Sequence, residues 1–433
     1  MLAALAALRI SNKAVTFICS ESLSKIFLWV GYLMFYLGID IGKYNHVASL
    51  LDEHSKVIFK GFSFPNTTAG ADSLLAKIAS YPLDDVSIAM EATGHYWLAL
   101  FSYLTSQGFS VHVVNPIQTD GWRKGTEIRK RKNDKIDSVL IAELLRYGDF
   151  METALTDEII FSLRTLTRFR HYLVCSMGDL KRKTICVLDQ VFPEYQSVFS
   201  DVFGQTSKEL LMHFQTPESF QNITVEQLAA ALENIRQKQF ARQKLEEISA
   251  LAAASFGLTF AAESFSFQLR LLLEQIMFIE AQVDDLEAQI AGLLEQMDSV
   301  ITTIPGIGPV TGATILAEIG DINRFQTAAK LVAYAGIDAS VSQSGEYESS
   351  HNSMSKRGSP YLRKALFQAA LAASNSDPVF RAYYQKKRAE GKHHLTALGA
   401  VARKLCYTIH ALLKNNEPYQ PQLQTIPSNS PSL

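Results

Sequence analysis

Four acidic side chains in the first third of the sequence could carry out chemistry together. Asp40 lies within an apolar segment, YLGIDIG, and Glu91 ends another, SIAME. Asp134 and Asp137 are spaced so that they would lie on one face of a helix. An ionised carboxylate among apolar residues is costly unless a cation or hydrogen-bond donors satisfy it. The pattern therefore predicts that these acids share a charged partner.

The chemistry that this set favours is phosphoryl transfer with Mg²⁺. Carboxylates gathered at one place would repel one another unless divalent cations lay among them, and hard oxygen ligands suit Mg²⁺, which commonly binds substrate phosphates. Two such ions about 4 Å apart can stabilise the attacking and leaving oxygens. Each acid alone has a plainer interpretation. Asp134 suits the N-cap of a helix, and GIDIG is also similar to the phosphate loop of sugar kinases and actin-like ATPases.

The elements that must position these acids form an α/β layer. The segments YLGIDIG, HVASLLD and KVIFKGFSF predict a meander of three strands. A helix over Thr68–Ala79, a strand VSIAMEA, a helix over His95–Ser106 and a strand VHVVNP are expected next, followed by a helix over Lys135–Arg146. Strands that alternate with helices indicate a partly parallel sheet. The order of strands, helices and acids matches the ribonuclease H-like nuclease fold.

Residues 151–300 are predicted to be mostly helical. Apolar residues spaced alternately three and four apart run from Leu269 to Met297, which favours a coiled coil within the chain or between chains. An amphipathic helix packed on its own domain is the alternative. From Ile301 the composition changes at IPGIGPVTG, and further helices follow, except over Ser340–Ser359. The Pro-, Gln- and Ser-rich residues 415–433 predict a disordered tail.

Composition limits the class of protein. With 433 residues, 47% hydrophobic and 19% charged, the chain should be globular and multi-domain. The net charge of -2 hides two basic segments, Arg123–Lys135 and Lys356–Lys414, which fit contacts with a polyanion as well as ordinary solvated surfaces. Four scattered cysteines, with no zinc-like spacing, indicate a reducing cytoplasm.

The N-terminal residues 1–33 form an unusual apolar extension. The apolar segment over Ile26–Ile39 is shorter than the about 20 residues that a spanning helix needs, so no membrane association is expected. No small-residue cleavage site follows it, which disfavours a signal peptide. The extension is interpreted either as an amphipathic segment or, preferably, as translated sequence upstream of a natural start at Met34.

Several motifs together resemble the DEDD insertion-sequence transposases, the group of the pilin-inverting recombinase and the bridge-RNA-guided recombinases. In the N-terminal half these are YLGIDIGK, MEATGHYW, VVNP and RKNDKIDSVLIAELL. In the C-terminal half they are IPGIGPVTGATILAEIGDINRF, LVAYAGI, QSGEY and SKRGSPYLRKALFQAA. The resemblance implies a ribonuclease H-like (RuvC-like) domain over 34–150, a helical coiled-coil region over 151–300 and a helical transposase domain over 301–414.

The resemblance also implies roles for individual residues. The family's metal-binding acids correspond to Asp40, Glu91, Asp134 and Asp137, with Mg²⁺ as the cofactor. Its nucleophilic serine corresponds to Ser344 in QSGEY, which would be joined covalently to a DNA 5′ phosphate. The family usually has a proline after the LVAYAGI-like segment and this chain does not, so Ser342 is the alternative nucleophile. A serine before glycine, taken alone, is most often a turn residue.

Further residues are predicted to contact nucleic acid. IPGIGPVTG is similar to a helix-hairpin-helix turn, in which the backbone amides of Gly306 and Gly308 could approach a phosphate. A simple tight turn between packed helices is the alternative. Basic side chains close to the acids and to the serine suit phosphate contacts. These are Arg129, Lys130, Arg131, Lys132, Lys356, Arg357, Arg363 and Lys364.

The leading hypothesis is a transposase that cuts and rejoins DNA. Strand exchange joins four DNA ends, so a homodimer or tetramer is expected, with the seam from Leu269 to Met297 as its contact. The resemblance also implies a structured guide RNA transcribed from the element. Two alternatives are a Mg²⁺-dependent junction nuclease, which would not need Ser344, and a catalytically silent nucleic-acid-binding protein, which would tolerate loss of the acids.

Overall fold

The structure, a computed structural model, describes residues 34–92, 94–126, 133–148, 157–233, 238–339, 343–344, 347–348 and 353–421. The chain divides into two compact units between Leu155 and Thr156, and each unit is considered by itself. Several of the predictions fall on residues outside these ranges. They concern the N-terminal extension 1–33, the basic run 129–132, Ser342 and the end of the tail, residues 422–433.

A five-stranded mixed sheet forms the centre of the first unit. Its order is β3-β2-β1-β4-β5; β1, β2 and β3 are antiparallel, and β1, β4 and β5 are parallel. This confirms the predicted meander and the α/β class, and it is consistent with a ribonuclease H-like domain. The strands are β1 Phe35–Asp40, β2 Asn45–Leu51, β3 Val57–Pro65, β4 Val86–Glu91 and β5 Ser110–Val114.

Helices cover both faces of this sheet. They are α1 Thr68–Ile78, α2 Trp97–Ser106, α3 Pro116–Thr126 and α4 Asp134–Tyr147. Leu37 and Ile39 of β1 pack with α1 and α2 in one core, and Ala89 and Val114 pack with α4 on the opposite face. The sequence did not predict α3, because its two glycines and charged end are typical of a loop.

Helix α4 lies directly on the backbone of β1. A Cβ atom at Gly38 would be 2.1 Å from the carbonyl oxygen of Ser138 and 2.4 Å from the backbone nitrogen of Ala142. The hydroxyls of Ser138 and Ser49, on β2, are also hydrogen-bonded at 2.8 Å. Only glycine at position 38 permits this approach. The helix that carries Asp137 is therefore held closely against the strand that carries Asp40.

Over the residues that the structure describes, the second unit is helical, with one short hairpin. None of the described helices of the chain is long and apolar enough to cross a membrane. One core gathers α11, α12, α13 and α15, and a second gathers the end of α5 with α6 and the start of α10. The elements are α5 Glu158–Val191, α6 Gln205–His213, α7 Pro217–Gln221, α8 Val225–Leu232, α9 Lys238–Ala253, α10 Ala262–Glu295, α11 Pro309–Ile319, α12 Ala328–Ala335, β6 Gln343–Ser344, β7 Tyr347–Glu348, α13 Pro360–Ser376, α14 Pro378–Ala389 and α15 His394–Asn415.

The heptad seam of α10 is used inside the chain. Helix α10 packs antiparallel to α5, and ion pairs join Arg170 to Glu287 and Lys181 to Glu280 along the two helices. No residue of the seam is exposed, because the chain's own helices cover it. The prediction that this seam is the contact between subunits is therefore wrong. Its apolar side chains already pack within one chain.

The start of the predicted tail is also corrected. Residues 416–421 continue from α15, and the hydroxyl of Tyr419 donates a hydrogen bond of 3.1 Å to Asp377 Oδ2. The ring of Tyr419 stacks on Phe380 with ring centres 6.2 Å apart. An aromatic side chain with both contacts is anchored. The predicted disordered segment, which starts at residue 415, therefore starts too early in the chain.

Candidate active site

The sheet places Asp40 and Glu91 side by side. Ile39 and Met90 are paired in register on the adjacent parallel strands β1 and β4, and both are fully buried. Asp40 and Glu91 directly follow this pair, so their side chains leave the opposite face of the sheet together. Neighbouring strands lie about 4.8 Å apart. Two half-buried carboxylates therefore share the edge at which the parallel strands end.

The two aspartates of α4 differ in burial. Asp137 is only 5% exposed, whereas Asp134, the first residue of the helix, is exposed. Asn133 is the N-cap, since its side chain accepts a hydrogen bond of 3.0 Å from the backbone N–H of Lys135. The alternative interpretation of Asp134 as the N-cap is therefore wrong. Asp137 faces the interior, on a helix that covers the same sheet face from which Asp40 and Glu91 emerge.

Helix α3 links two of the acids. The hydroxyl of Thr119 donates a hydrogen bond of 2.9 Å to Glu91 Oε2, and Nη2 of Arg123 lies 3.1 Å from Asp137 Oδ1. Thr119 and Arg123 are one helical turn apart on α3 and therefore share a face of that helix. Glu91 and Asp137 are consequently brought to the same side of α3. Together with the register of Asp40 and Glu91, this supports convergence of the acids from β1, β4 and α4.

The ion pair between Arg123 and Asp137 is largely buried. The side chain of Arg123 is 22% exposed and that of Asp137 is 7% exposed. Water screens such a pair much less than it screens a surface pair. From the sequence, Arg123 is predicted only as part of a basic segment, and Thr119 is not predicted to belong to the site. Their spacing of one helical turn would have been informative only if α3 had been recognised as a helix.

The acids fit Mg²⁺ in their chemistry. Asp40, Glu91 and Asp137 supply hard oxygen donors from neighbouring elements, and Asp137 already holds one cationic group, the Arg123 guanidinium. In the positions that the described side chains adopt, no three acidic, histidine or cysteine groups lie close enough to one another to hold a metal ion. The carboxylate oxygens therefore suit Mg²⁺ by their chemistry. In the described side-chain positions, however, Asp137 is paired with Arg123 and not grouped with other acids around a metal site.

Ser344 lies on the short hairpin of the second unit. It ends β6, and its backbone pairs with that of Tyr347 in the antiparallel strand β7. An isolated bridge between Ala339 and Met354 closes the hairpin closer to its base. Just beyond this bridge, the backbone N–H of Ser355 donates a hydrogen bond of 2.9 Å to the carbonyl of Asp338. The serine backbone thus belongs to a hairpin with a hydrogen-bonded base.

The two glycines of IPGIGPVTG have different surroundings. Gly306 has a φ of +92°, and a Cβ atom there would be 2.5 Å from the backbone nitrogen of Ala373, so it packs against α13. Gly308 is exposed and is the N-cap residue of α11. It lines a cavity of about 460 Å³ together with Lys364. The structure thus brings two of the predicted phosphate-binding residues, Gly308 and Lys364, to one place.

Two sequence models of transposase families match the chain. One, for DEDD transposases of the IS110 type, matches residues 37–193. The other, described as the transposase IS116/IS110/IS902 family, matches residues 298–385. The chain belongs to the IS110 family of transposases. The first match contains all four predicted acids, and the second contains Ser344, Gly308 and Lys364.

Relatives of this transposase are similar along almost their whole length. An insertion element IS110 protein of Streptomyces coelicolor is 27% identical over 401 residues, which cover 90% of this chain and 96% of the relative. A putative transposase for IS117 from the same organism is 24% identical and covers 91% and 97%. The pilin gene-inverting protein of Moraxella bovis is 24% identical and covers 90% and 98%. The chain is therefore a DNA transposase or recombinase.

In the transposase, a buried network fixes the segment that follows the Ser344 hairpin. Glu318 is 1% exposed and accepts hydrogen bonds of 2.7 and 3.0 Å from Arg168. The hydroxyl of Ser359, the N-cap of α13, donates to Glu318 Oε2 at 2.7 Å. No spacing pattern in the sequence predicts this network, because its partners are distant from one another along the chain. The network ties the start of α13 to α5 and α11.

The remaining predicted cations of the transposase have separate positions. Lys356 and Arg357 are exposed, as a phosphate contact requires. Arg363 Nη1 donates a hydrogen bond of 3.3 Å to the carbonyl of Ala335 at the end of α12, which is a structural contact. Arg129, Lys130, Arg131 and Lys132 lie outside the described ranges.

Proposed function

We propose that this transposase cuts and rejoins DNA at the ends of a mobile element, with Mg²⁺ held by Asp40, Glu91, Asp134 and Asp137 and with Ser344 as the nucleophile. One observation carries the acid part of the proposal. Asp40 and Glu91 follow an in-register pair on adjacent parallel strands, on the face that α4 covers with Asp137. Bound Mg²⁺ would polarise the phosphoryl oxygens and stabilise the charge that develops in transfer.

The serine step conserves the energy of the phosphodiester bond in a bond between protein and DNA. Ser344 Oγ attacks the DNA phosphorus, an Oγ–P bond forms, and the bond from phosphorus to the 3′ oxygen breaks. The hydroxyl proton passes to the departing 3′ oxygen, which leaves a free 3′ hydroxyl and a 5′ phosphate on the serine. Attack by the 3′ hydroxyl of a second DNA end reverses these steps and restores the serine proton. Rejoining therefore needs no ATP. Ser342 remains the alternative nucleophile.

The groups around the acids would prepare them for this reaction. Thr119 holds one oxygen of Glu91 by a hydrogen bond, which fixes the direction of that carboxylate. Arg123 compensates the charge of the buried Asp137. A site of crowded carboxylates needs such partners before DNA and cations arrive, because unpaired buried charges destabilise the fold.

The nucleic-acid contacts belong to the same proposal. Arg129, Lys130, Arg131, Lys132, Lys356, Arg357 and Lys364 would contact phosphate, and the turn at Gly306 and Gly308 would act as a helix-hairpin-helix element. Arg363 would act indirectly, through its bond to Ala335. A structured guide RNA would select the target, and a dimer or tetramer would hold the DNA ends. The antiparallel pair of α5 and α10 would form a coiled coil within each chain.

A covalent adduct tests the function. The protein is incubated with its element ends, guide RNA and Mg²⁺, and protein joined to DNA is sought on a denaturing gel. We expect an adduct that is absent in Ser344→Ala, Asp137→Ala and Glu91→Gln and present in the control Ser342→Ala. Loss in Ser342→Ala with retention in Ser344→Ala would reassign the nucleophile.

Two other outcomes would replace the proposal. Cleavage that survives in both serine variants would support a Mg²⁺-dependent nuclease. Binding of the correct DNA and RNA without any cleavage would support a silent nucleic-acid-binding protein. Asp134→Asn tests the exposed fourth acid, and we expect it to abolish cleavage and to leave DNA binding largely intact. Lys130→Ala should weaken binding and reduce its dependence on salt.

A further inference from the structure

A cavity of about 460 Å³ belongs to the helical unit, whereas the four acids belong to the first unit. Its walls come from α5, from Glu287 of α10, from the start of α11 and from the first turns of α13. The charged and polar side chains around it include Arg170, His171, Glu287, Tyr361 and Lys364. Gly308 and Lys364 are both exposed, so the cavity is accessible from the surface at these residues.

The charges around this cavity do not cancel. The carboxylate of Glu287 is occupied by Arg170, whose Nε donates to Glu287 Oε1 at 2.8 Å. Lys364 Nζ donates to His171 Nδ1 at 3.1 Å. An imidazole nitrogen that accepts this bond is unprotonated, so His171 orients the ammonium group and leaves its charge uncompensated. No carboxylate among the residues that the structure describes forms an ion pair with Lys364.

We propose that this cavity binds one phosphate group of the DNA backbone. The inference rests on the proposed function, since DNA is the substrate of a transposase. A phosphodiester is a compact anion with several acceptor oxygens. Around the cavity it would meet the oriented ammonium of Lys364 and the hydroxyls of Thr311 and Tyr361, whereas the hydroxyl of Thr314 already donates a hydrogen bond of 2.7 Å to the carbonyl of Val310. The accessible mouth at Gly308 and Lys364 suits a phosphate that belongs to a polymer.

The cavity brings together residues from two motifs that are separate in the sequence. Gly308 belongs to IPGIGPVTG and Lys364 to SPYLRK, and both residues line the same cavity. Arg170 and His171 come from the long helix α5, for which the sequence predicts only helical structure. A phosphate contact of this kind positions DNA without reading its sequence.

Position 308 offers a test that leaves the fold intact. Gly308 has an extended backbone with φ of -81°, and a Cβ atom there would meet no atom within 4 Å. Asp and Asn are both favoured at a helix N-cap and differ there mainly in charge. We therefore expect Gly308→Asp and Gly308→Asn to fold equally well. Only the aspartate would place a negative charge at the cavity.

DNA affinity is measured by fluorescence anisotropy with the full chain, a labelled DNA duplex and EDTA, over a series of salt concentrations. We expect Gly308→Asp to bind DNA about tenfold more weakly than Gly308→Asn, because the two side chains differ mainly in charge. Lys364→Ala should weaken binding of all duplexes. It should also reduce by about one the slope of the logarithm of the binding constant against the logarithm of the salt concentration, as expected for one lost phosphate contact. Lys183→Ala, an exposed lysine of α5 outside the cavity, should have a smaller effect on both.

Inorganic phosphate provides a second readout. At equal ionic strength, phosphate should displace DNA from the wild type more effectively than chloride does, and Lys364→Ala should remove this difference. Equal binding by Gly308→Asp and Gly308→Asn, or an unchanged salt slope in Lys364→Ala, would overturn the proposal. A defect confined to an RNA duplex of the same sequence would overturn the assignment to DNA.

Failure of this inference and failure of the proposed function can be told apart. Binding in EDTA requires no cleavage, whereas the covalent adduct requires the acids and Ser344. An adduct with unchanged binding by Gly308→Asp would refute the cavity alone. If DNA binding depends on Lys364 but no covalent adduct forms under any condition, the assignment of Ser344 as the nucleophile fails. The assignment of the cavity as a phosphate site then stands.

Discussion

Arg123 Nη2 lies 3.1 Å from Asp137 Oδ1, and neither side chain is more than 22% exposed. The arginine comes from α3 and the aspartate from α4, so the pair fastens two helices at the edge where β1, β4 and β5 end. The same carboxylate is one of those proposed to hold Mg²⁺. Arginine and metal are therefore alternative sources of positive charge for Asp137.

Arg123→Ala should lower stability when Mg²⁺ is absent. Removing one partner of a buried ion pair costs about 3 kcal/mol, and the partial exposure of Arg123 reduces this to about 2 kcal/mol. Mg²⁺ should then raise the melting temperature of the variant more than that of the wild type, because a ligand of the folded state adds stability. Thermal unfolding with Mg²⁺ and with EDTA measures both effects.

Arg123→Lys is the matched control, since it keeps a positive charge near Asp137. It should lose less stability than Arg123→Ala and should show a smaller response to Mg²⁺. An equal response to Mg²⁺ in all three proteins would contradict competition between the arginine and the metal.

Gly38→Ala should disturb the packing of α4 on the sheet. The new methyl group would be 2.1 Å from the carbonyl oxygen of Ser138, so the helix must shift, at a cost of about 3 kcal/mol. Because α4 carries Asp137, metal affinity should fall as well. Urea unfolding and metal titration by calorimetry measure the two effects.

The control for this substitution is Gly121→Ala. A Cβ atom at Gly121 would meet no atom within 4 Å, and the residue lies within α3, where alanine favours the helix by up to about 1 kcal/mol over glycine. It should be neutral or stabilising. A similar loss of stability in both variants would show that the close approach at Gly38 is not the cause.

Glu318→Gln should weaken the anchoring of α13. The substitution removes the charge that binds Arg168, and we expect a loss of about 2 kcal/mol, because the arginine is partly exposed. Ser359→Ala should cost about 1 kcal/mol through loss of the N-cap and of its bond to Glu318. Chemical denaturation of both single variants and the double variant gives their coupling. Strictly additive losses would argue against a shared network.

Stability should fall at mildly acidic pH because of His46. The ring is 1% exposed, its Nδ1 accepts a hydrogen bond from the Gly42 N–H, and burial lowers its pKa, an effect that the Asn66 side chain partly opposes. The unfolded chain takes up a proton below about pH 6.5, where the folded chain still resists protonation. The free energy of unfolding therefore falls as the pH drops from about 6.5 towards the lowered pKa.

His46→Phe tests this origin, because phenylalanine cannot be protonated. Denaturant unfolding at about pH 7.5 and about pH 5.5 should show a smaller pH effect in the variant than in the wild type. An unchanged pH dependence would assign the effect to other groups.

Much of the fold followed from local sequence signals. Apolar alternation and turn residues predicted the strands that carry Asp40 and Glu91, since these patterns reflect the period of a strand. Helix α4 was recognised from its apolar spacing, and α10 from its heptads. The motifs also identified the family, because they recur in a fixed order along the chain.

The tertiary structure decided how those elements meet. Register places Asp40 beside Glu91, α3 supplies Thr119 and Arg123, and packing turns the α10 seam towards α5. Gly308 and Lys364 share a cavity although 56 positions of sequence separate them (364 minus 308). Local sequence determines the period of each element and the chemistry of its side chains. Contacts between distant residues depend on burial and register, which only the folded chain fixes.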